Sequence, residues 1–263
     1  MYEFDLIRAS SVAEAVAAAA QNEDAKYLGG GQTLVPTMKQ RLASPSHLVA
    51  LSGIPELQGL QHRGGVLTIG GGTTHARVAQ QALTDFPALA RLANLIGDPS
   101  VRNRGTIGGS LANNDPAACY PAAVLACGAT IVTDRREIAA ADYFQGTFTT
   151  ALAADEIITA VRFPLPLAAD YQKFIQPASR FSIAGVFVAR FANRVGVAVT
   201  GAAAEGVFRW CEAEEVLAAG FDPAALRTLT LDPDAMMADS FGSKDYRAHL
   251  IPVLAERAVL AMS

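Results

Sequence analysis

The chain reads as an α+β protein: two small α+β subdomains come first, and a C-terminal α+β domain on a small antiparallel sheet follows. Three observations predict this. Up to residue 163, short β-type runs alternate with helical patterns and glycine-rich turns. Beyond the proline-flanked stretch 164–169, three β-type runs follow one another directly and helices come only afterwards, the order of a sheet covered on one face. Finally, 263 residues at 51% hydrophobic content suffice for a sizeable core divided between domains. The boundaries read 1–166 for the first domain, with subdomains of about 1–53 and 54–166, and 167–263 for the second.

The elements follow in order. Ser10-Ser11-Val12-Ala13-Glu14 is a capping box ahead of an alanine-rich helix. Lys26-Tyr27-Leu28 is a short strand broken at Gly29, and 34–41 is helical, with Pro36 tolerated in the first turn. Residues 47–51 form a second strand, and 52–55 a junction. A strand at 66–69 stops at Gly70-Gly71-Gly72, and helices follow at 74–83 and 87–95. Residues 97–115, rich in Gly, Asn, Pro and Arg, show neither period and read as a long irregular, functional stretch. Next come a helix at 121–127 and strands at 129–133 and 157–163. In the second domain, strands are expected at 171–175, 182–191 and 195–200, the last two joined at Ala192-Asn193-Arg194. Helices are expected at 212–219 and 244–261, with Pro252 kinking or splitting the last.

Composition excludes several classes. A net charge of −4 argues against a nucleic-acid surface, which needs clustered Lys and Arg. No apolar run approaches the roughly 20 residues of a membrane span, and the N-terminal alanine stretch lacks the basic flank of a signal peptide, so the cytoplasm is the expected location. Cys119, Cys127 and Cys211 have no metal spacing and read as reduced thiols. His47, His62, His75 and His249 are scattered, and none is given a catalytic role. No metal site is expected, so any redox group would be organic. Trp210 reads as core or interface.

Two glycine-rich loops carry the functional signal. Gly29-Gly30-Gly31-Gln32-Thr33 follows a strand and enters a helix, so consecutive N–H groups can come close to an anion without a Cβ in the way. Thr106-Ile107-Gly108-Gly109-Ser110 adds two hydroxyls and the Gly108 and Gly109 amides. Two such loops fit a ligand with an extended phosphate spine, best a dinucleotide. The first loop is neither a P-loop nor a strict G-x-G-x-x-G, which argues against a nicotinamide-type Rossmann domain.

The string Val101-Arg102-Asn103-Arg104-Gly105-Thr106-Ile107-Gly108-Gly109-Ser110, with Asn114-Asp115-Pro116-Ala117-Ala118 and Tyr120-Pro121 after it, resembles the FAD-binding medium subunit of molybdenum hydroxylases of the xanthine dehydrogenase and carbon monoxide dehydrogenase type. The first loop through Leu34 to Pro36 is similar to the same family, as are Asp155-Glu156-Ile157-Ile158 with Phe163-Pro164, Tyr171-Gln172-Lys173-Phe174, and Pro177-Ala178-Ser179-Arg180. The resemblance spans nearly the whole chain in order.

It implies a PCMH-type FAD-binding domain with the vanillyl-alcohol oxidase fold, completed by the C-terminal domain. By position, Gly29 to Thr33 and Thr106 to Ser110 would bind the FAD pyrophosphate region. Ile158 would pack near the isoalloxazine ring, and Lys173 would hydrogen-bond toward its polar edge. Leu28, Leu34, Val101, Asn114, Asp115, Cys119 and Tyr120 complete the implied contacts. The implied partners are a small subunit with two [2Fe-2S] clusters and a large molybdopterin subunit, assembled as a dimer of heterotrimers. Electrons would run from molybdenum through the clusters to FAD and on to an external acceptor, whether NAD, a quinone or dioxygen. No catalytic base or nucleophile on this chain is then required.

One departure is specific: Cys119 stands where the family commonly carries an acid, and a thiol is a weak donor and acceptor. Arg102 and Arg104 are left between phosphate and a partner surface. Other readings are a free-standing FAD-dependent reductase, and a flavin-free docking subunit.

Overall fold

The computed structural model describes residues 1–262. Its first sheet is parallel: β1 (Asp5–Arg8), β2 (Ala25–Leu28) and β3 (His47–Ala50) lie in the order β1-β3-β2. Helices α1 (Val12–Ala20) and α2 (Leu34–Lys39) make the crossovers. Ser11 caps α1, and Glu14 reaches back to the Ser10 backbone N–H, one residue before the cap, so the return bond of the capping box is shifted by one.

The second sheet is antiparallel. Its order is β4-β5-β8-β6-β7, from β4 (Leu60–Arg63), β5 (Val66–Gly70), β6 (Thr130–Thr133), β7 (Glu137–Ala139) and β8 (Ile158–Pro164). Five helices fill the excursion between β5 and β6: α3 (His75–Gln81), α4 (Pro87–Asn94), α5 (Pro99–Arg102), α6 (Ile107–Asn113) and α7 (Tyr120–Cys127). A short α8 (Ala140–Tyr143) follows β7.

The third sheet is an antiparallel meander, β12-β11-β10-β9, made of β9 (Ala168–Ile175), β10 (Ser182–Arg190), β11 (Val195–Thr200) and β12 (Phe208–Arg209). Helices α9 (Cys211–Ala219) and α10 (Lys244–Leu260) come after it.

The α+β class and the alternation of elements are as expected, with corrections. The stretch 97–115 is not irregular: it holds α5 and α6. Asp98 caps α5 by accepting from Ser100 and Val101, and Thr106 caps α6 by accepting from Gly109. Helices this short have too few apolar residues to show a period; their signal lay in the caps. Pro252 sits inside α10 without splitting it. Trp210 is core.

Strands β1, β4, β7 and β12 were not expected. β1 and β4 are exposed four-residue edge strands, too short to show an alternation. β4 nevertheless carries a hairpin signal, Gly64-Gly65, and both glycines have positive φ, 57° and 76°.

The largest apolar cluster joins Leu67 and Phe163 to Tyr171, Phe187 and Ala198, and so runs across residue 166. In β10, Phe187 and Ala189 face this cluster while Val186 and Val188 face a second one around Trp210 and Ile251. Burial on both faces explains the unbroken apolar run from Ile183 to Ala189. A third cluster, around Val49 and Ile54, seats the first sheet.

Candidate cofactor site

The first loop leaves β2 at Leu28, whose carbonyl accepts from Leu51. Gly31 has φ of 69°, a left-handed turn that favours glycine. From Gly29 to Thr33, no backbone N–H donates to an acceptor among the described residues. These half-exposed and exposed residues are an open nest of amides. Leu28 and Leu34, both half-buried, hold its two ends.

The second loop lies directly on the first. A β-carbon on Gly30 would run into the Arg104 carbonyl, and one on Gly29 would come within 3.1 Å of Thr106 Oγ1. Its amides, however, are spent internally. Ile107 N–H donates to Thr73 O (3.1 Å), Gly108 N–H to Gly71 O (2.8 Å) and Gly109 N–H to Thr106 Oγ1 (3.0 Å). The expectation that Gly108 and Gly109 offer amides to a ligand is corrected: the first loop presents donors and the second fastens. The Ser110 hydroxyl makes no hydrogen bond among the described residues.

A third turn, Gly70-Gly71-Gly72, which in the sequence shows only as a strand stop, packs against the second loop. Gly71 N–H donates to Thr159 O (2.8 Å), and the Ile158 carbonyl fills the place of a β-carbon on Gly71. Ile158, 6% exposed, is thereby tied to α6 through one glycine. Three glycines followed by Thr73 and Thr74 echo the first loop, and that was the available signal.

At the other end, Lys173 on β9 meets Cys119 at the start of α7. Lys173 Nζ donates to the Leu95 carbonyl (3.1 Å) and to Cys119 Sγ (3.3 Å). No carboxylate lies within ion-pair distance of it among the described residues, so a half-buried ammonium stands without a counter-charge. Cys119 Sγ lies 3.7 Å from Ser182 Oγ, which is 3.1 Å from the Tyr171 hydroxyl.

Two further buried polar atoms have no partner. His75 begins α3, with its backbone N–H on the Gly105 carbonyl (2.9 Å). Its ring lies 5.4 Å from that of Tyr120, and both His75 Nδ1 and the Tyr120 hydroxyl are buried without a hydrogen bond. Burial, then the nearby Arg102 charge, lower the His75 pKa to about 4, so the imidazole is neutral at neutral pH. Burial, then Cys119, push the Tyr120 hydroxyl up. His75 is the one histidine that the fold brings into the site.

Other expected residues make contacts within the fold. Asn114, at φ of 43°, spends its side-chain N–H groups on Gly146 O (2.8 Å) and Thr149 O (2.9 Å). Asp115 accepts from Ala117, and burial raises its pKa. Pro116 O and Ala118 O accept from the Thr200 hydroxyl, and Pro116 O also from Gly201, which ties this segment to β11. Val101 packs on Gly97. Arg102 is held by the carbonyls of Ile96 and Gly97.

A surface cleft of about 630 Å³ between α3, α4 and α5 is lined by Arg102 and by none of the residues of the two glycine loops. Among the described residues, no three ligating side chains cluster as a metal site and no helix is long and apolar enough to cross a membrane. All three cysteines are free.

Residues 2–166 match the family described as the FAD binding domain in molybdopterin dehydrogenase. The chain is 33% identical to the carbon monoxide dehydrogenase medium chain of Afipia carboxidovorans, over 97% of this chain and 95% of that one. It is also 33% identical to the nicotine 6-hydroxylase medium subunit of Paenarthrobacter nicotinovorans, over 95% and 94%. A reconstituted CO dehydrogenase from Oligotropha carboxidovorans superposes with a TM-score of 0.90 at 32% identity, covering 100% of this chain and 99% of that one.

Proposed function

Because this chain belongs to the family of FAD-binding domains in molybdopterin dehydrogenases, we propose that it is the electron-transfer medium subunit of an oxidoreductase complex, taking electrons from a partner's [2Fe-2S] clusters and passing them to an external acceptor. FAD is its cofactor, and when bound it supplies the redox chemistry. The chain's own residues bind and tune it.

The observation that carries this reading is the fit between the site and an extended, anionic, two-ended ligand. The open amides of Gly29 to Thr33 match a pyrophosphate. Thr106 and Ser110 hydroxyls border it, and the first amides of α6 are already occupied within the fold. Lys173 lies at the opposite end with no counter-charge; a cation there favours added electrons on a flavin ring and holds its polar edge. Ile158 offers the ring an apolar wall.

The medium-chain relatives belong to multi-subunit enzymes, and the assembly proposed is a dimer of heterotrimers with a [2Fe-2S] small subunit and a molybdopterin large subunit. The cytoplasm is the proposed compartment. Oxidation of the organic substrate belongs to the large subunit, so no base is needed here.

The test is the absorption spectrum and released-cofactor identity of the chain, purified alone and co-purified with its partner subunits. One FAD per chain is expected. Absence of flavin from both preparations, with FAD supplied, overturns the reading.

A further inference from the structure

We propose that Cys119 and Lys173 are a peroxide-sensitive pair: oxidation of the sulfur closes a covalent link between the two side chains, which ties β9 to the start of α7 and cancels the Lys173 charge. The link stands on the geometry of this chain alone; its effect on a bound flavin rests on the FAD reading above.

The contact is specific. Lys173 Nζ donates to Cys119 Sγ at 3.3 Å, and no other lysine and cysteine are hydrogen-bonded among the described residues. A sulfur is a weak acceptor, so it adds little to the hold that the Leu95 carbonyl already has on this lysine. What the sulfur brings is oxidisability, and what the amine brings, once it has lost a proton, is a nucleophile. Cys119 is 4% exposed and Lys173 half-buried, so the lysine chain leads from solvent to the sulfur. No thiol stands ready to resolve an oxidised Cys119. Cys119 precedes α7 and Cys127 ends it, about 12 Å apart by the rise of a helix, beyond the reach of a disulfide. Cys211 begins α9 on the surface. The nucleophile in contact with the sulfur is an amine.

The steps balance with hydrogen peroxide as the oxidant. The Cys119 sulfur attacks one peroxide oxygen and the O–O bond breaks. The sulfur gives up two electrons and becomes a sulfenic acid. The departing hydroxide takes the thiol proton and leaves as water, with Ser182 Oγ, 3.7 Å from the sulfur, as a relay. The Lys173 amine, its extra proton released to solvent, then attacks the sulfur. The N–S bond forms, the S–O bond breaks, and the hydroxide leaves as water with a proton from the amine. The product is a sulfenamide, equal to the thiol plus the amine less two hydrogens. Sulfenic acids condense with backbone nitrogen in this way, and here a side-chain nitrogen is already in contact with the sulfur. A thiol reverses the link by attacking the sulfur and expelling the amine. The sulfenamide nitrogen carries no charge, so while the link persists the flavin site has lost its cation.

The experiment exposes the full chain, first fully reduced, to hydrogen peroxide in steps. The chain is then denatured, alkylated without reductant and cut with trypsin, and peptide masses are read before and after a dithiol. The expected result is a joined pair, Gly105–Arg135 with Phe163–Arg180, two hydrogens lighter than the sum of its parts, uncut after Lys173 and separated by the dithiol. Cys127→Ser and Cys211→Ser keep the pair. Cys119→Ser and Lys173→Arg lose it. In Lys173→Arg, which keeps the charge without the amine, Cys119 goes on to the sulfinic acid, which the dithiol does not recover. The joined pair is read on the unmodified chain, so a variant that fails to fold leaves the result standing. Cys119 that stays a thiol, or goes only to the sulfinic acid, at peroxide levels that oxidise Cys211 overturns the proposal. So does a disulfide from Cys119 to another cysteine. Repeating the series with FAD separates the two readings: slower linking supports both, whereas equal rates keep the link and remove Lys173 from the flavin site.

Discussion

Lys173 is the residue to which the proposed cofactor reading gives the tuning of the flavin. Its ammonium is held by a carbonyl and a sulfur, neither of which cancels its charge. Lys173→Met should lower the two-electron potential of the bound flavin, whereas Lys173→Arg should keep most of it. A charge-assisted hydrogen bond is worth about 1.5–3 kcal/mol, so the drop should be about 30–60 mV. A redox titration in which Lys173→Met matches the unmodified protein would remove Lys173 from the ring site.

The three thiols also differ at this scale. Cys211 is exposed, Cys119 is 4% exposed, and burial pushes Cys127 up to about 12. Only the thiolate reacts with an aromatic disulfide reagent. Native protein at pH 8 should therefore label rapidly at Cys211 alone, and denatured protein at all three cysteines. Rapid labelling of a second thiol in the native protein would contradict the burial.

At the level of elements, the site depends on turns that pack backbone against backbone. Gly30→Ala sets a methyl against the Arg104 carbonyl and must part the two loops. Overpacking of this kind costs about 1–3 kcal/mol, and FAD affinity should fall with stability. Thr106→Ala removes the α6 cap and the acceptor for Gly109, at a cost of about 1 kcal/mol; Thr106→Ser should recover it. Urea unfolding of the three variants checks both, and a silent Gly30→Ala would mean that the loops do not touch. Both glycine loops were legible in the sequence because glycine reports close approach. That the second spends its Ile107 and Gly108 amides on Thr73 and Gly71 was not legible, since nothing in residues 106–110 names a partner in that earlier turn.

For the whole molecule, the core crosses residue 166: Tyr171 and Phe187 pack with Leu67 and Phe163 in one cluster. A cut at that point would expose this surface, so residues 1–166 expressed alone should aggregate or fail to give a sharp unfolding transition in calorimetry. A sharp transition for that fragment would show an independent first domain.

Acid should destabilise the whole chain in two steps. His75 has a folded pKa lowered to about 4, so between about 6.5 and 4 the unfolded state binds the extra proton and stability falls as pH falls. The span of that shift corresponds to about 3 kcal/mol. Glu156, bound to Arg136, Thr133 and the Ala153 N–H, is lowered to about 2; its contribution is present above 4.5 and is lost as pH falls toward 2. Denaturant unfolding across pH should show both phases, and His75→Leu should abolish the first only.

The sequence by itself determined the α+β class, the order of most elements, the two glycine loops and the family, because these rest on local patterns: periodicity, caps and turns that need glycine. Only the tertiary structure decided which groups stay free. It occupied the amides of α6, opened those of Gly29 to Thr33, paired the Asn114 side chain with Gly146 and brought Lys173 to Cys119 across 54 positions. It also sealed His75 beside Tyr120 with no partner for either. A hydrogen bond has one donor and one acceptor wherever they lie in the chain. Which polar groups remain for a ligand is therefore known only once the fold has paired the rest.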